Sequence, residues 1–71
     1  MILKYFELKN YESEVFKNIG NGWYIKIFKD GNGEYWIAKF QKGQSDIKCE
    51  HVKRVQTIGW RYELENGMVV G

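Results

Sequence analysis

The sequence predicts a small, mainly β domain, an antiparallel sheet or small barrel of five to six strands with one short helix. Three observations carry that reading. Apolar and aromatic residues alternate with polar ones over several short runs, the period of a strand. Gly-Asn-Gly occurs twice and Asn-Gly once more, each between such runs, as tight β-turns require. Proline is absent and aromatic residues make up 17% of the chain, so nothing interrupts the strands and each ring adds a large apolar area.

Taken in order, residues 2–9 alternate, with Ile2, Lys4, Phe6 and Leu8 on one side and Leu3, Tyr5 and Glu7 on the other. Neither side is purely polar, which suits a strand covered on both faces. Residues 10–20 admit two readings. As a helix, Asn10 is the N-cap, Glu12 and Glu14 sit in the first turn, Tyr11, Val15, Phe16 and Ile19 share a face, and Gly20 ends it. As a strand, Val15 to Ile19 pairs with the run after Gly20-Asn21-Gly22. The capping pattern favours the helix over 10–19, which would make the class α+β.

Residues 23–40, WYIKIFKD-GNG-EYWIAKF, form the clearest hairpin signal. With Gly31 and Asn32 as a two-residue loop, Lys29 opposes Glu34, Phe28 opposes Tyr35 and Ile27 opposes Trp36. Gly31 then supplies the positive φ of a type II′ turn. Trp23, Ile25, Ile27, Trp36, Ala38 and Phe40 form a core face. Tyr24, Lys26, Phe28, Tyr35, Ile37 and Lys39 form the other. A loop of Asn32 and Gly33 keeps both faces but opposes Lys26 to Lys39. A three-residue loop flips one strand and puts Lys39 among the isoleucines. The two-residue loop at Gly31-Asn32 is therefore favoured.

Residues 41–46 (QKGQSD) have loop composition. Residues 47–57 fit a helical stripe or a strand. A compromise is a strand over 47–50, a tight turn near 51–53 and a strand from Arg54. Barrels of the SH3 type make that step, and an SH3-like barrel is the closed form of the predicted sheet. From Ile58, residues Ile58, Trp60, Tyr62 and Leu64 face one way and Arg61, Glu63 and Glu65 the other, a half-buried strand. Asn66-Gly67 reads as a type I′ turn that sets Val69 opposite Leu64, with a short edge strand at the end.

At 71 residues, with no linker or low-complexity tract, residues 1–71 read as one domain whose core is small. A net charge of +2 permits an acidic partner without demanding one, and a dedicated duplex-DNA binder of this size is far more basic. No apolar run approaches the roughly 20 residues of a membrane helix. The first residues lack a signal-peptide core, and Cys49 is the only cysteine, so a reducing, cytoplasmic setting is expected.

Cys49 and His51 make a Cys-x-His pair, but a structural zinc needs four ligands and the chain has no second cysteine or histidine. The Gly-Asn-Gly segments lack the Gly-Lys-Ser/Thr ending of a phosphate loop. Neither Glu12 with Glu14 nor Glu63 with Glu65 has an arguable pocket. No catalysis, metal or cofactor is expected.

The candidate binding residues are Tyr24, Lys26, Phe28, Tyr35 and Lys39 on the second hairpin face, extended by Lys53 and Arg54 of a second basic group that also holds Lys48 and Arg61. Rings beside lysines suit a protein contact, since Tyr, Phe and Arg dominate interface hot spots. They also suit single-stranded nucleic acid, whose bases stack on rings at about 1–3 kcal/mol each. The expected function is non-catalytic binding. It is read first as a protein-binding regulator or inhibitor of the stand-alone kind that phages and mobile elements encode, with a homodimer through a sheet edge as one form. The single-stranded nucleic-acid module is the alternative.

Overall fold

The structure is a computed structural model, and it describes residues 1–56, 59 and 61–70. Among the described residues, seven strands and one helical turn follow in chain order: β1 Ile2–Leu3, α1 Tyr5–Leu8, β2 Ser13–Gly20, β3 Trp23–Lys29, β4 Tyr35–Gln41, β5 Ile47–Gln56, β6 Arg61–Leu64 and β7 Val69–Val70. Strands β2 to β7 pair in sequence order, all antiparallel, and β1 pairs with the start of β5. The sheet curls into a half-barrel. The fold is the mainly β sheet with one short helix that the sequence predicts, but several elements lie elsewhere along the chain.

The predicted strand over residues 2–9 stops at Leu3. Glu7 turns its carboxylate back to accept the Lys4 backbone N–H at 2.8 Å, closing one helical turn. That turn drops Leu8 onto the sheet, where it is 1% exposed. The helix expected over 10–19 is instead β2. The Asn21-Gly22 pair decides this. Both residues take positive φ, 55° and 78°, as a type I′ hairpin turn requires. β2 then pairs with β3 from Ser13↔Phe28 to Gly20↔Trp23, with a bulged residue near each end.

The β3–β4 loop has three residues, not two. Lys29 pairs with Tyr35, Phe28 with Trp36, Ile27 with Ile37, Lys26 with Ala38 and Ile25 with Lys39. Asp30 explains the choice. One of its carboxylate oxygens accepts the backbone N–H groups of Asn32 (2.8 Å) and Glu34 (2.9 Å), and the other accepts the Trp36 indole N–H at 2.8 Å. The Gly33 N–H donates to the Asp30 carbonyl at 3.1 Å, and Gly33, not Gly31, carries the positive φ of 82°. A turn closed by an aspartate and followed by a left-handed glycine is the three-residue hairpin with a glycine bulge.

β5 is continuous over ten residues, with a bulge between Val52 and Arg54 where a tight turn was expected. The bulge bends the strand so that its first half pairs with β4 and its second half with β6. The last turn also differs from expectation. The Leu64 N–H donates to the Met68 carbonyl at 2.8 Å, so Val69 opposes Glu63 and not Leu64. In β6, Tyr62 and Leu64 are buried as predicted, while Ile58 and Trp60 lie outside the described residues.

Burial occurs on both sides of the sheet. The outer cluster comprises Leu8, Phe28, Ala38, Phe40, Ile47 and Cys49, covered by Leu3, Tyr5 and Tyr11 of the N-terminal segment. The inner cluster comprises Ile27, Ile37, Val52, Tyr62 and Leu64. Its boundary residues, Val15, Ile25 and Val70, line the open side of the curl.

Candidate docking surface

The three-residue turn separates the residues expected to bind together. Tyr24, Lys26 and Phe28 share the outer face with Trp36, Ala38 and Phe40, while Tyr35, Ile37 and Lys39 share the inner face with Ile25 and Ile27. The expected core set of Trp23, Ile25, Ile27, Trp36, Ala38 and Phe40 is divided in the same way.

Phe28 is 0% exposed and packs on Tyr11 at 4.8 Å between ring centroids. Lys26 is 6% exposed, and its ammonium donates to the carbonyls of Leu8 and Tyr11, both at 2.6 Å. Burial lowers its pKa from the ordinary lysine value. Both residues hold the N-terminal segment against the sheet, so neither is available to a partner. Tyr24 is half-buried, stacked between Phe16 and Phe40. Tyr35 is half-buried beside Tyr62, with the Lys29 ammonium 5.6 Å from its ring centre. Lys39 is exposed, its ammonium 5.6 Å from the Trp23 ring. On β5, Lys53 is exposed and Arg54 pairs with Glu63 at 2.6 Å.

A different surface emerges on the inside of the curl. Where β2 approaches β6 and β7, Val15, Lys17, Ile19, Ile25, Ile27, Tyr62 and Val70 line an open groove of about 450 Å³, together with Gly59. A second recess of about 280 Å³ continues from it past Ile25 and Val70 to Ile37, Lys39, Lys48, Glu50, Leu64 and Met68. The floor is apolar. One wall is β2, a sheet edge of eight residues paired, among the described residues, with β3 alone, and Ile19 is exposed on it. The alternation of Val15, Lys17 and Ile19 carried this signal in the sequence, but only under the strand reading of residues 13–20.

The remaining polar cluster joins two turns. His51 on β5 meets Glu34 of the β3–β4 turn through Nε2 at 2.5 Å and Glu65 of the β6–β7 turn through Nδ1 at 2.9 Å. Hydrogen bonds to the two carboxylates, Glu34 first, raise its pKa above the ordinary value. Each ring nitrogen faces a carboxylate, so the imidazole acts as a clasp between the two turns. Among the described residues no group of three or more His, Cys, Asp or Glu side chains is placed to hold a metal ion. Cys49 is buried, and burial pushes its thiol pKa up, away from the reactive thiolate. No described helix is long and apolar enough to cross a membrane.

No family model matches the chain, and no curated protein or solved structure is similar enough to count as a match.

Proposed function

We propose that this chain is a non-catalytic protein-binding domain, a regulator or inhibitor, that receives an extended segment of its partner along β2. The observation that carries this reading is the pairing of an open sheet edge with an apolar groove beside it. An edge strand offers unpaired backbone N–H and C=O groups. A segment added there continues the ladder, and its alternate side chains point into the groove. The expected protein-contact face and the nucleic-acid alternative both rely on Lys26 and Phe28 beside Tyr24, Tyr35 and Lys39. With the first two buried and the others on opposite faces, the docking site moves to β2 and the nucleic-acid reading loses its platform.

Selection from a random library of 12-residue displayed peptides tests the reading. Peptides are expected to enrich on the wild-type chain. Ile19→Glu, at an exposed position lining the groove, is expected to weaken them at least about tenfold, roughly 1.4 kcal/mol, while leaving the thermal melt unchanged. A library that yields no binder, or binders indifferent to Ile19→Glu, contradicts it.

A further inference from the structure

The groove carries an unbalanced row of charge. Lys17 of β2 pairs with Ile25 of β3, and Ile25 pairs with Lys39 of β4, so the two lysines flank one isoleucine on the inner face. Adjacent strands lie about 4.8 Å apart, which sets the two lysine backbones roughly 10 Å from each other. Ala38 pairs with Cys49, and continuing that register brings Lys48 beside Lys39, where both line the same recess. All three lysines are exposed, and none belongs to an ion pair among the described residues. Like charges set side by side across strands cost stability, so the row is a liability to the isolated domain.

The carboxylates on this face lie outside the row. Glu50 is opposite Ile37, one step nearer the Asp30 turn. Glu14 sits in the bulge between Ser13 and Val15, toward the start of β2. The net charge of the recess lining Lys39, Lys48 and Glu50, with Lys17 across the shared Ile25, is three minus one, or +2.

Resting on the docking reading above, we infer that the partner segment is an acidic one with the pattern apolar-x-Asp/Glu-x-apolar. Side chains on an added strand alternate, so residues two apart point inward together. Paired against β2, the inward carboxylate lies level with Lys17, with Lys39 behind it, and relieves the row. The inward apolar residues on either side lie level with Val15 and Ile19 and cover the isoleucine floor. Opposite charge at this position fixes the register of the segment and speeds its approach.

The same library decides between failures. Enriched peptides are expected to carry Asp or Glu flanked at plus and minus two by apolar residues. In a synthetic copy of the best binder, Asp→Asn or Glu→Gln at that site is expected to weaken binding about tenfold. Lys17→Glu is expected to weaken the acidic peptide similarly and to restore affinity for a copy with lysine at that site. Binders with no acidic preference, or an acidic peptide indifferent to Lys17→Glu, overturn this inference and leave the docking reading standing. An absence of binders removes both. Sedimentation of the free chain adds a further check: a monomer is expected, and a stable dimer whose β2 amides are protected from exchange overturns the proposal by filling the edge with a second copy.

Discussion

Lys26 is the residue whose surroundings diverge most from what its type suggests. A lysine on a hairpin reads as a surface charge, yet here it is buried and bonded to two main-chain carbonyls. Those carbonyls, on Leu8 and Tyr11, terminate the helical turn and the segment after it. Buried carbonyls without donors are costly, and hydrogen bonds from a charged group contribute about 1.5–3 kcal/mol. Lys26→Met keeps the stem and removes the donors, and is expected to lower stability in urea by about 2–3 kcal/mol. A loss comparable to that of an exposed lysine, such as Lys42→Met, contradicts the assignment.

His51 makes a pH prediction of known sign. Its folded pKa is raised above 6.5 by Glu34 and Glu65. The stabilisation is therefore fully present below 6.5 and is lost as pH rises through the folded value. A neutral imidazole has one N–H and can donate to only one of the two carboxylates. Amide exchange in the β3–β4 and β6–β7 turns is expected to accelerate over that range more than the intrinsic rate does. His51→Gln is expected to abolish the extra acceleration, and an unchanged profile in that variant contradicts the clasp.

At the scale of elements, the turns decide the fold, through side-chain contacts that hydrophobic patterning does not reveal. The hairpin between Trp23 and Phe40 was legible from alternation and glycine content. Its register was not, because the choice rests on the Asp30 carboxylate reaching two amides and an indole. A side chain that caps its own turn adds a local bond that hydrophobic patterning does not register. The two candidate loops make opposite demands on glycine, so substitution separates them. Gly33→Ala is expected to cost roughly 1–2 kcal/mol, because a left-handed residue with a Cβ is strained. Gly31→Ala is expected to be nearly neutral, since Gly31 has no positive φ and open space around it. The reverse order belongs to a turn centred on Gly31. Asp30→Ala is expected to melt below Asp30→Asn, which keeps one acceptor for the backbone amides.

The segment from Asn10 to Gly20 departs from the helical expectation for a related reason. Its helix caps were genuine local signals, but Asn21-Gly22 offered a hairpin with a ready partner strand in β3. Tertiary pairing overrode local propensity, as is common for short helices. By contrast, the mainly β class, the short terminal edge strand and the burial of Tyr62 and Leu64 all followed from period-two patterning.

At the scale of the whole molecule, one residue of register determines which surface is free. Adding a residue to the β3–β4 loop exchanges the faces of one strand relative to the other. It sends Lys26 and Phe28 beneath the N-terminal segment and brings Ile25, Ile27, Ile37 and Lys39 together inside the curl. The candidate site was thus partly legible. Lys39 and Lys48 belong to the basic groups the sequence singles out, but Lys17 does not, because it lies on β2, where the helical reading was favoured. The half-barrel, open between β2 and β7, leaves an apolar floor with three lysines along it.

The most direct test of this arrangement is the reactivity of each lysine toward an acetylating N-hydroxysuccinimide ester, followed residue by residue with mass spectrometry on the folded chain. Lys17, Lys39 and Lys48 are expected to react quickly and Lys26 most slowly of all the lysines. If Lys26 were acetylated as fast as Lys39, the two would share one open face, and both the register and the docking surface built on it would be contradicted.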